Sequence, residues 1–83
     1  MITSGQIKAS RALLGLTTAK LAELSGIGFT TLVRLESFEG VPSANIKTLE
    51  SVMRTLEKSG IEFIGTPDDG PGVRLFSKGQ VNA

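Results

Sequence analysis

The chain contains no cysteine, histidine, tryptophan or tyrosine. Without cysteine there is neither a disulfide framework nor a thiolate zinc site. Without histidine the usual general base is missing, as are most zinc sites and every Ser-His or Cys-His nucleophile pair. Eight acidic side chains remain, but no two are spaced as a catalytic pair in a cleft, so no enzyme is expected. Asp68-Asp69 stands between Pro67 and Gly70 and reads as turn polarity, not as a metal site. No cofactor and no metal are expected. No apolar run approaches the ~20 residues that span a bilayer, so no membrane partner is expected. The opening MITSGQIKAS lacks the charged and apolar regions of a signal peptide, and a cytoplasmic location is the expectation.

With 83 residues, 40% of them apolar, one domain with a small core is expected. A core of that size is marginal alone, and oligomerisation is one ordinary remedy. Net charge is +1, little for a nucleic-acid binder. Its distribution says more. Residues 1–34 carry Lys8, Arg11, Lys20 and Arg34 against Glu23 alone, and the acidic excess falls in residues 35–83.

The stretch Thr17 to Ser37 reads as two short helices joined by a tight turn. Thr17 is an N-cap whose hydroxyl can accept from an orphan N–H. Leu21, Ala22 and Leu24 supply an apolar face at helical spacing. Gly26 suits a left-handed helix end, Ile27 plugs the turn, and Gly28 opens the second helix. Leu32 and Leu35 form one stripe of that helix, leaving Phe29, Thr30, Val33 and Arg34 on other faces. Two helices around a short glycine-containing turn are the helix-turn-helix signature.

Upstream, Thr3 and Ser4 can cap a first helix to about Leu14, with Ile7, Ala12, Leu13 and Leu14 inward. Gly15 ends it and Leu16 enters the core. Downstream, Pro42 disfavours helix at Val41. Ser43 is the expected N-cap of a fourth helix, with Asn45 the alternative. That helix spans about Ala44 to Ser59, with Ile46, Leu49, Val52, Met53 and Leu56 as its core stripe and Gly60 as its C-cap. Ile61–Ile64 and Val73–Phe76 read as two strands, with GTPDDGPG between them as turn chemistry. The expected class is mainly α: four helices forming a helix-turn-helix domain over residues 1–60, a two-strand segment over 61–77, and a frayed tail over 78–83.

The run from Arg11 to Glu36 resembles the phage-repressor and Cro-like helix-turn-helix family, also called the xenobiotic-response-element family. The matching residues are Arg11, Leu16-Thr17, Leu21-Ala22, Gly26-Ile27, Thr31-Leu32 and Leu35-Glu36. Small bacterial regulators with a sequence like ARALLG before the motif also end in segments similar to Gly60–Gly65 and Gly70–Leu75. The resemblance implies a bacterial or phage repressor-like transcription regulator. It implies an ion pair between Arg11 and Glu36 that clamps the fold. Two positions depart from the family. Thr18 stands where a phosphate-binding Gln is usual, and Phe29 stands where the first reading residue is usually polar.

On this reading the partner is double-stranded DNA. Base reading falls to Phe29, Thr30, Val33 and Arg34. The Arg34 fork matches guanine O6 and N7, and Val33 can touch a methyl. Phe29 suits either a thymine methyl or a protein interface. Phosphate contacts fall to Thr17, Thr18, Thr31, Ser37, Ser43, Asn45 and Lys47. Strand edges are templates for another chain. A homodimer through Ile61, Phe63, Ile64, Val73, Leu75 and Phe76 is therefore expected, reading a palindromic operator. The strands could pair within one chain or cross between two. The alternative function is an antitoxin-like or other protein-interaction module.

Overall fold

A computed structural model describes residues 1–76. Four helices precede a two-stranded antiparallel sheet: α1 Ser4–Leu14, α2 Thr18–Ser25, α3 Phe29–Leu35, α4 Ile46–Lys58, β1 Ile61–Thr66 and β2 Asp69–Leu75. The protein is mainly α with a C-terminal β-hairpin. Among the described residues no helix is long and apolar enough to cross a membrane. Expectations for residues 77–83, including the tail, lie outside the described residues.

α1 starts on a reciprocal cap. Gln6 N–H donates to the Thr3 hydroxyl at 3.0 Å, and Thr3 N–H donates to Gln6 Oε1 at 2.8 Å. Two orphan donors are thereby satisfied. The buried line of α1 is Ser4, Ile7, Ser10 and Leu14. Ala12 and Leu13, expected to face inward, are exposed. Steps of three and four from Ile7 reach Ser10 and Leu14, so the inward stripe includes serines and misses Leu13. Ser10 is tolerated because its Oγ donates to the Gln6 carbonyl one turn back, at 2.7 Å.

α2 packs on α3 and α4. Leu21 and Ala22 are buried as expected, whereas Leu24 is exposed. Gly26 closes α2 at φ 70, and its N–H donates back to Ala22 and Glu23 carbonyls. An added Cβ would meet no neighbour there, so the need for glycine is conformational, not steric. Ile27 is half-buried against the core.

α4 is capped by Asn45, not by the favoured Ser43; Asn45 Oδ1 accepts from Lys47 N–H at 2.8 Å. The helix therefore begins at Ile46 and ends at Lys58, inside the expected Ala44–Ser59. Leu49, Val52 and Leu56 are buried, Met53 is half-buried, and Ile46 is exposed. At about 100° per residue Ile46 lies roughly a quarter-turn from the buried line. The cap position falls on Ser59, one residue before the expected Gly60.

β1 and β2 pair within the chain, Ile61 against Leu75 and Phe63 against Val73. Both strands run longer than expected toward the turn, and Phe76 falls just past β2. The register slips between Ile64 and Thr66, and Gly65 occupies the slip at φ 75. A Cβ at Gly65 would sit 2.1 Å from the Gly70 carbonyl oxygen. There the glycine is demanded by both backbone angle and space.

The hairpin lies on α1. Ile61 is 4% exposed, and Phe63, Val73 and Leu75 pack against the helical core. Gln6 fastens the contact. Its Nε2 donates to the carbonyls of Ile64 at 3.2 Å and Gly72 at 2.9 Å. The centre of the core is Ile7, Leu21, Leu32, Leu35, Val52 and Leu56, each fully buried. Each such side chain contributes about 1.5–3 kcal/mol.

Candidate nucleic-acid interface

The rotation of α3 is set by Leu32 and Leu35, both fully buried. That turns Phe29, Thr30, Val33 and Arg34 to the outside. Phe29 is 54% exposed and Val33 45% exposed. They are four residues apart and share one face. The four residues expected to read bases are therefore brought together on one exposed surface.

The C-terminal end of this short helix is fixed from three directions. The Ser4 hydroxyl donates to the Leu35 carbonyl, and the Ser37 hydroxyl donates to the Arg34 carbonyl at 2.7 Å. Glu36, the C-cap, is 8% exposed and accepts two bonds from Arg11, from Nε at 2.9 Å and from Nη2 at 3.0 Å. Arg11 Nη1 also donates to the Leu16 carbonyl at 3.2 Å. One guanidinium thus ties α1 to the loop before α2 and to the end of α3. The expected pairing of Arg11 with Glu36 is present, with the parallel two-bond geometry that an arginine fork and a carboxylate favour. At its other end α3 starts on Gly28, which supplies no side-chain cap. The first N–H groups of α3 thus lack a side-chain acceptor.

The residues expected to meet phosphate fall in separate groups. Ser43, Asn45 and Lys47 form one, in the loop and first turn of α4. That loop reaches α3, where Arg34 Nη1 donates to the Ser43 carbonyl at 3.4 Å. A bond of that length on an exposed side chain is weak and readily exchanged for another acceptor. Thr17 and Thr18 form a second group at the start of α2. The Thr17 hydroxyl accepts from Lys20 N–H at 3.0 Å and keeps its own proton to donate. Thr18 and Thr31 are half-buried. Ser37 is exposed, with its proton already given to Arg34.

Charge on this surface is positive but sparse. Among the described residues Arg34 and Lys47 have no ion-pair partner, while Lys20 lies 3.3 Å from Glu23. Of the six residues expected to hold a second chain, Ile61, Phe63, Val73 and Leu75 turn toward their own helices. Ile64 and Phe76 remain exposed. Arg74 spans the hairpin's outer side, donating from Nε to Glu62 at 2.8 Å and lying 5.4 Å from the Phe76 ring centre.

Ser4, expected only as a helix cap, and Gln6, not singled out in the sequence, position these elements. The signal was present, since Thr3-Ser4-Gly5-Gln6 fits the capping-box pattern. No protein-family model matches this chain, and no curated protein matches it.

Proposed function

We propose that this protein is a sequence-specific DNA-binding regulator, cytoplasmic and non-enzymatic, that acts as a homodimer on a palindromic operator. The observation that carries the reading is the outward face of α3. It is short, exposed, free of acidic side chains, and held by bonds from Ser4, Arg11 and Ser37. Arg34 would bond guanine in the major groove, Val33 and Phe29 would meet thymine methyls, and Thr30 would hydrogen-bond a neighbouring base or phosphate. Lys47, Ser43 and Asn45 would sit on the backbone beside Arg34, and Thr17 and Thr18 would add a second phosphate anchor. The resemblance of Arg11–Glu36 to the phage-repressor family supports the same assignment.

Selection of bound sequences from random DNA, with the parent chain and with Arg34→Ala, tests it. The expected product is a palindrome whose half-sites lie about one DNA turn, ~34 Å, apart. Arg34→Ala should lose preference for one guanine in each half-site. Failure to enrich any sequence refutes the reading. A second function is favoured by one observation, the exposed Phe29–Val33 pair, where the look-alike family usually has a polar first residue. In that case the chain is an antitoxin-like or other protein-interaction module, α3 docks a protein partner, and DNA selection returns nothing.

A further inference from the structure

The outward side of α4 carries a charge order that complements itself. Lys47, Glu50, Arg54 and Glu57 are all exposed, and among the described residues none of them is in an ion pair. Half-buried Met53 lies among them, and with Glu50, Arg54 and Glu57 it lines a shallow groove. Glu50 and Arg54 are only about 40° apart around the helix, so both point along one outward line.

We propose that this face docks a second copy of the chain, α4 against α4 and antiparallel, about a two-fold axis level with Val52. In a two-fold contact, residue i meets j while j meets i. An axis at that level sets Glu50 against Arg54 of the second copy, and Arg54 against its Glu50. The same axis sets Lys47 against Glu57 at both ends. Each of these four charged residues meets one of opposite sign, and Met53, about 60° round the helix from Glu50 and about 100° from Arg54, flanks the contact. A parallel pairing would instead set Glu50 on Glu50 and Arg54 on Arg54. The charge order therefore selects one orientation and one register, as interfacial charges do more readily than they add affinity. A copy of this chain is the occupant this face fits, because its complement is its own reversal. The hairpin is a weaker candidate, since four of its six apolar residues already face their own core. The proposal supplies the two-fold symmetry that a palindromic operator needs, yet it stands without DNA, which the test omits.

The test is sedimentation equilibrium of the intact chain without DNA at micromolar concentration. The parent protein should be dimeric. Glu50→Arg places arginines against Arg54 of the second copy, and Arg54→Glu places glutamates against its Glu50. Each variant alone should raise the dimer dissociation constant at least about tenfold. Far-ultraviolet circular dichroism should match the parent chain, because both positions are exposed. An equimolar mixture of the two variants should then associate again. In the mixed dimer the introduced arginine of one chain faces the introduced glutamate of the other, and the retained Arg54 faces the retained Glu50. Rescue on mixing cannot come from a change in folding. A monomeric parent chain, single variants that dimerise as the parent does, or a mixture that stays monomeric would each overturn the proposal. Dimerisation with no DNA sequence enriched would leave this interface standing and remove the operator reading.

Discussion

Breaking the Arg11–Glu36 pair from its two sides should cost different amounts. Arg11→Met removes the guanidinium and leaves a carboxylate that is 8% exposed, cut off from both of its donors. A buried charge stripped of its partner costs about 3–5 kcal/mol. Glu36→Gln leaves the guanidinium instead. That group is 25% exposed and keeps its bond to the Leu16 carbonyl. Water and that carbonyl solvate part of the orphaned charge, and the amide oxygen of Gln still accepts one bond. The loss should then be closer to one charged hydrogen bond, about 1.5–3 kcal/mol. A chain of this length has about 4–12 kcal/mol of total stability, so Arg11→Met should remove a large fraction of it. With neither tryptophan nor tyrosine present, the assay is urea denaturation followed by circular dichroism. The midpoint should fall with an unchanged slope. Arg11→Met combined with Glu36→Leu should be more stable than Arg11→Met alone, because no charge is left buried. If Glu36→Gln costs as much as Arg11→Met, or if both fall within about 0.5 kcal/mol of the parent, the clamp reasoning fails.

Three further outcomes are expected. Arg34→Ala should lower discrimination at one base position per half-site by about 1–3 kcal/mol, measured by competition between operator and single-base variants; an equal loss on random DNA would make Arg34 a phosphate contact. Gly65→Ala should destabilise by more than ~1 kcal/mol, because it combines a left-handed backbone with a clash on the Gly70 carbonyl; an unchanged melt would show that the hairpin can rebuild its bulge. Gln6→Met preserves bulk and removes the amide, so hairpin amides should exchange with solvent faster than those of α3 and α4; uniform acceleration would mean that Gln6 supports the whole core and not the hairpin in particular.

Helix existence was legible because caps and periodic leucines agree. Thr17, Gly26 and Leu32 each do one job, and local chemistry alone decides it. What the sequence concealed was which apolar residues are turned outward. Leu13, Leu24 and Ile46 satisfy helical spacing as well as their neighbours do, yet all three are exposed. Helical spacing allows several stripes, and tertiary packing chooses among them. In α1 the chosen stripe contains Ser4 and Ser10, because a hydroxyl bonded to a nearby carbonyl packs as a small residue. The hairpin was visible as two β-prone runs, but its partner was not. Phe63 and Val73 look equally suited to a second chain or to their own helix, and Gln6 settles the choice through a contact with no local signature. On α3 the exposed set was readable because Leu32 and Leu35 leave a seven-residue helix one possible rotation.

The Gln6 amide also bears on when the chain can fold. Its two hairpin acceptors lie 58 and 66 residues further along. At a synthesis rate of about 5–20 residues per second, Gln6 is made roughly 3–13 s before those carbonyls exist. Throughout that interval α1 lacks the hairpin surface that covers it. The ribosome must also release β2 from its tunnel before the hairpin can reach α1. Cover for α1 therefore waits for the final strand of the hairpin, whereas the bonds that hold α3 come from residues made earlier, Ser4, Arg11 and Ser37.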